Sequence, residues 1–156
     1  MTAKEFLRRF FSLGIRINHK KEELYELRRT ATAISGTDYS VEKVQLSHSG
    51  AAPFEDKVAQ LADLQSALSM EIVSYEVEKA RIVDAINDIP NDNYAQLLYQ
   101  RYVERKPFAD IAKSIGYSSQ HIRRMHGYAL QAFQKCHSEM LLENRLPVPV
   151  PIQSKA

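Results

Sequence analysis

Residues Pro107–Leu130, PFADIAKSIGYSSQHIRRMHGYAL, read as a helix, a tight turn and a second helix. Ile111, Ala112 and Ile115 mark the inner face of the first helix, and Ile122 and Met125 mark that of the second. Ala112 is small where the two helices must cross closely. Gly116 supplies the left-handed backbone that ends a helix within one residue. Ser118 is placed to cap the second helix by accepting a free first-turn amide. Residues three and four apart share a helix face, so burying Ile122 and Met125 turns Gln120, Arg123, Arg124 and Gly127 outward. That outer face is polar, basic and narrow, as a major groove requires. The alternative is an ordinary packed helix pair with a glycine stop.

Working outward, Pro90, Asn91 and Asp92 end the preceding segment and cap a helix expected over residues 93–104, with Tyr94, Leu97, Leu98 and Tyr102 inward. Arg101, Arg105 and Lys106 lie near its end. They suit either contacts to DNA phosphates or a solvated helix terminus whose dipole favours cations. Beyond the motif, Ala129, Leu130, Phe133 and Cys136 extend the buried face, and the helix is expected to fray between His137 and Asn144. The end, RLPVPVPIQSKA, alternates proline with valine and reads as an extended, flexible tail.

Two long periodic runs precede this region. Thr2 and Glu5 form a capping box, followed at spacings of three and four by Phe6, Phe10, Leu13, Ile17, Leu24, Leu27, Ala31 and Ile34, with Lys20 the one interruption. Ser35–Pro53 loses the period and reads as a connector, with Val41, Val44 and Leu46 a candidate short strand or partner contact. Pro53 suits a first helical turn. From there Phe54, Val58, Leu61, Leu68, Ile72, Tyr75, Ile82, Ile86 and Ile89 recur, with Gln65 and Lys79 in core-like places. Two helices of about 50 Å joined by a connector too short to run back that distance predict an antiparallel coiled-coil hairpin. Leu7, Phe11, Ile15, Leu64, Val73 and Val83 flank its seam and call for a further partner. Phe6, Phe10 and Phe11 are expected to wedge the C-terminal domain onto the hairpin, and a second copy to cover the rest as a homodimer.

The formal charge of the 156-residue chain is +2, but residues 1–34 carry +4, residues 35–90 carry −6 and residues 91–156 carry +4. The first two segments can neutralise each other, leaving the third to attract an external polyanion. One cysteine, Cys136, excludes an internal disulfide framework and suits a reducing cytoplasm. Arg8, Arg9 and Arg16 interrupt the N-terminal apolar residues, so neither a signal peptide nor a membrane span is expected. His121, His126, Cys136 and His137 lack the spacing of zinc ligands. No phosphate-binding glycine loop or nucleophile elbow occurs, and the carboxylates of residues 55–88 suit the faces of a coiled coil. No catalysis and no cofactor are expected.

The run Leu98–Phe133, LYQRYVERKPFADIAKSIGYSSQHIRRMHGYALQAF, resembles region 4 of sigma-70-type transcription initiation factors. A long helical hairpin followed by that module resembles the phage late-gene transcriptional regulators of the ArpU/RinA type. The resemblance implies that Ser119, Gln120 and Arg124 read bases and that His121 and Arg123 lie beside phosphates, with Ser118 at the same helix start. It also implies RNA polymerase as a further partner. Pro107 replaces the usual Thr or Ser cap, and charged residues typical of sigma factors are absent at Ser119, Gln120 and His121. Their promoter sequence therefore does not transfer, and nothing resembles the promoter-melting domain.

The resulting expectation is an all-α protein: residues 1–89 a hairpin for oligomerisation or partner binding, 90–138 a helix-turn-helix domain, and 139–156 a helix end and tail. Its function would be cytoplasmic, sequence-specific binding of double-stranded DNA to regulate phage or prophage transcription. A small-terminase-like packaging subunit and a coiled-coil interaction module are the alternatives.

Overall fold

A computed structural model describes residues 1–35 and 51–143, and among these the protein is all-α. The connector expected over Ser35–Pro53, with Val41, Val44 and Leu46, lies mostly outside the described residues, as does the proline-rich end. The helices are α1 (Ala3–Ser35), α2 (Ala51–Asn87), α3 (Asp92–Leu98), α4 (Phe108–Ile115), α5 (Ser119–Cys136) and α6 (Ser138–Glu143). A π-helical turn, Tyr99–Val103, continues α3. Among the described residues no helix is long and apolar enough to cross a membrane.

The chain divides into two compact units, one of Met1–Ile15 with Ser74–Ala156, the other of Arg16–Val73. This division cuts through both long helices rather than falling at residue 89, where the hairpin was expected to end.

In the first unit α1 starts from its capping box: Thr2 Oγ1 accepts from the Glu5 amide at 3.3 Å, and Glu5 Oε2 accepts from the Thr2 amide at 2.9 Å. The Thr2 hydrogen bonds hold the Glu5 carboxyl below its ordinary value. Phe6, Leu7, Phe10 and Leu13 are buried. Phe6 stacks on Phe133 of α5 at 6.3 Å, Phe10 stacks on Tyr75 of α2 at 5.5 Å, and the Ala3 amide donates to Gln134 Oε1. Leu7, expected to seek a partner, is fully enclosed within this unit, whereas Ile15 is exposed. Tyr75, Ile82, Ala85 and Ile86 bring the end of α2 into the same core, and Ile89 just beyond it is buried as well.

Asn91 caps α3, its side chain accepting from the Tyr94 amide at 3.2 Å. The helix expected over 93–104 is α-helical only to Leu98. Beyond it the Glu104 amide reaches back five residues to the Tyr99 carbonyl, and the Lys106 amide bonds the Gln100 carbonyl at 2.9 Å. A π turn holds more residues than an α turn, which rotates everything after it about the helix axis. The chain leaves through Arg105, which has φ 61°, a left-handed conformation usually given to glycine at a helix end. At the far end, α5 stops at Cys136 and His137 separates it from α6, so the expected fraying is a break followed by a new short helix. Leu141 of α6 is buried, whereas Cys136 is exposed and does not extend the core.

In the second unit the segments of α1 and α2 run antiparallel: Lys20 pairs with Glu71, and Gln65 Nε2 approaches the Leu27 carbonyl at 3.5 Å. Lys20 thus enters the apolar series already matched to a carboxylate. Ile17, Leu24 and Leu68 are buried, while Tyr25, Met70 and Val73 are 66%, 73% and 61% exposed.

Candidate nucleic-acid interface

The helix pair quoted above is positioned by its own sequence. The Pro107 carbonyl accepts the first amides of α4, from Asp110 and Ile111, in place of a side-chain cap. Gly116, at φ 83°, closes α4 with its amide on the Ala112 carbonyl at 2.9 Å. Ser118 then opens α5, its Oγ accepting from the His121 amide at 3.2 Å. Ile111, Ala112, Ile122, Met125, Ala129 and Phe133 are buried, and α5 packs against both α3 and α4. Leu130 is half-buried.

This packing leaves Ser118, Ser119, Gln120, His121, Arg123 and Arg124 exposed at one end of α5. The eighteen residues of α5 contain no Asp or Glu. Among the described residues the side chains of Gln120, Arg123 and Arg124 have no hydrogen-bond or ion-pair partner. His121 stacks on Tyr117 at 4.7 Å. Gly127 lies on the same outer stripe, and a β-carbon there would meet nothing within 4 Å.

Arg101, Arg105 and Lys106 are placed differently. The Arg101 guanidinium lies over Phe108 at 4.6 Å and over Phe11 at 5.5 Å, and its Nη1 donates to the Lys106 carbonyl at 3.0 Å. Arg105 reaches back to Gly14 and Tyr75, and Lys106 pairs with Glu104 at 2.9 Å. These three cations therefore have contacts within the unit, and the structure does not bring them into the exposed group on α5.

Two features on α5 go beyond what the sequence showed. His126, weighed there only as a zinc ligand, stacks on Tyr102 at 5.8 Å, meets Phe108 edge-on at 5.1 Å, and has Nε2 3.0 Å from the Tyr102 hydroxyl. Burial, then the charges of Arg101 and Lys4, push its imidazole down to about 4. Burial also raises the Tyr102 phenol. At neutral pH both groups are uncharged, and the imidazole tautomer sets which of the two donates. The second feature is a hollow of about 250 Å³ between α3 and α5, lined by Tyr94, His121, Arg124, Met125 and Tyr128. The one signal for it in the sequence is the spacing of His121, Arg124 and Tyr128 along a single helical stripe.

Among the described residues no group of three His, Cys, Asp or Glu could hold a metal ion. Comparison with protein-family models, curated proteins and solved structures finds no match.

Proposed function

We propose that the protein is a sequence-specific regulator of transcription that lays α5 in the major groove of double-stranded DNA. The observation that carries this reading is α5 itself: a capped helix without carboxylates, anchored through Ile122, Met125, Ala129 and Phe133, with Ser119, Gln120, Arg123 and Arg124 exposed on its outer side. Arg124 can donate two hydrogen bonds to a guanine edge and Gln120 can pair with adenine, each worth about 1–3 kcal/mol of discrimination. Ser119 reads beside them, while Ser118, His121 and Arg123 approach the backbone. Arg101, Arg105 and Lys106 serve chiefly to hold the module together.

Selection of bound duplexes from a random pool at ~150 mM salt tests the reading, because nonspecific phosphate binding is already weakened there. Enrichment of one sequence supports it, and Arg124→Ala should relax preference at one base pair. Retention of no duplex above background by the wild type would overturn it.

Homodimerisation belongs to the same proposal. In the second unit Tyr25 and Val73 flank a groove of about 410 Å³ between α1 and α2, floored by Leu24 and Ile72. A second copy burying these side chains would place two reading helices on one duplex. An inverted repeat with half-sites about one helical turn apart is then the expected operator. Light scattering that gives a monomer at micromolar concentration would remove the dimer.

A further inference from the structure

The hollow between α3 and α5 has the chemistry of an anion site. Its lining side chains are two phenols, an imidazole, a guanidinium and a thioether, and no carboxylate is among them. Phenol and guanidinium groups donate hydrogen bonds, and so does the imidazole through either ring nitrogen that carries a proton. Met125, buried against the core, forms the floor, so the donors stand around a rim. His121, Arg124 and Tyr128 follow one another at spacings of three and four along α5, and Tyr94 faces them from α3. Three of these residues can therefore reach the same small volume from one helix and the fourth from its neighbour. A phosphate, with several acceptor oxygens and no donor when ionised, matches that set.

We propose that this hollow takes one phosphate of the DNA backbone, with the Tyr94 and Tyr128 hydroxyls as donors beside Arg124 and His121. The proposal rests on the reading of α5 as the DNA-contacting helix and adds α3 to the contact surface. Arg124 occupies the boundary between the two parts of that surface. A guanidinium has five N–H donors in a planar fork, enough to hold a phosphate on one edge while the other faces a base. The site thereby fixes how far α5 is rotated in the groove, which decides whether Gln120 and Arg124 meet base edges. Free inorganic phosphate has the same chemistry as a backbone phosphate, so the test must separate the two sources.

The full chain is titrated against a mixed-sequence duplex, starting at ~50 mM salt and stepping upward. Tyr94→Phe and Tyr128→Phe remove only a hydroxyl from each ring. Each is expected to weaken binding about three- to tenfold, with the salt dependence unchanged, since a neutral phenol displaces no counterion. Arg124→Gln is expected to weaken binding and to lower the salt slope by about 0.9. Wild-type affinity in both phenylalanine variants overturns the proposal while leaving the DNA reading in place. If the wild type binds no duplex at the lowest salt, the DNA reading itself fails and the proposal with it. Titration with inorganic phosphate against chloride at matched ionic strength, followed through the tyrosine ring resonances, then identifies the source. A saturating shift lost in Tyr128→Phe, with duplex affinity unchanged in both phenylalanine variants, would make the hollow a free-anion site instead of a DNA contact, whereas weakened duplex binding in both variants without a phosphate shift assigns it to the DNA backbone.

Discussion

The guanidinium of Arg105 lies across Gly14: its Nη1 is 2.5 Å from where a β-carbon on that glycine would stand, and the Tyr75 hydroxyl is 2.7 Å from the same point. Glycine in the middle of α1 normally costs about 1 kcal/mol relative to alanine. Here the missing β-carbon makes room for two side chains. Arg105 could swing away, but Tyr75 is buried and stacked on Phe10. Gly14→Ala is therefore expected to destabilise the protein by about 1–3 kcal/mol, as overpacked sites do, despite the better helix propensity of alanine. Urea denaturation would show this as a lower midpoint at constant slope; a raised midpoint would mean that Tyr75 yields easily.

Arg105 combines a left-handed backbone with a side chain that the unit uses. A non-glycine residue in that conformation costs roughly 1–2 kcal/mol. Glycine at this position would relieve the backbone but lose the contacts with Gly14 and Tyr75, whereas alanine would lose the contacts and keep the backbone cost. Both substitutions should destabilise, Arg105→Ala by about 1 kcal/mol more than Arg105→Gly. Thermal denaturation of the two variants side by side checks the order. Duplex binding by folded Arg105→Ala should stay close to that of the wild type, because the guanidinium is directed into the unit.

Gly127 gives the opposite result from the same substitution. It lies within α5, and a β-carbon would meet nothing within 4 Å. Gly127→Ala should stabilise the free protein by about 1 kcal/mol, raising the melting temperature by several degrees. If a DNA backbone passes close to this point, the same variant should bind duplex more weakly while being more stable. Parallel melting and anisotropy measurements would separate these effects, and tighter binding would place the backbone elsewhere.

The elements that local chemistry controls were legible in the sequence. The Thr2 and Glu5 box, the Ser118 cap and the Gly116 stop each act within four residues, and the buried series Phe6, Phe10, Leu13, Ile17 and Leu24 follows from helical period alone. What escaped depends on distant partners or on a change of period. Nothing in Tyr99–Val103 marks a π turn, yet that turn directs Arg101 toward Phe108 and Phe11 and precedes the left-handed Arg105. Leu7 looked like a flanking residue because the second unit's pairing pattern was extended to the start of α1, where the first unit encloses it. Of the candidate site, the exposed residues of α5 were legible and its neighbour Tyr94 was not, because its place beside Arg124 depends on how α3 packs on α5.

His126 should make stability depend on mildly acidic pH. Its folded-state value, about 4, lies below the ordinary histidine value of 6.5. As pH falls through 6.5 the unfolded chain takes up a proton that the folded protein refuses. The contribution is therefore complete above the unfolded value, declines as pH falls from about 6.5 toward 4, and levels off below that. Allowing for solvent screening at a partly exposed ring, its size is on the order of 1–2 kcal/mol. The comparison that isolates the effect is with His126→Gln, whose side-chain amide can still hydrogen-bond the Tyr102 hydroxyl but cannot take up the proton. Urea midpoints at pH 7 and pH 4.5 should fall less in the variant than in the wild type, and equal falls would mean that His126 is protonated within the fold at the lower pH.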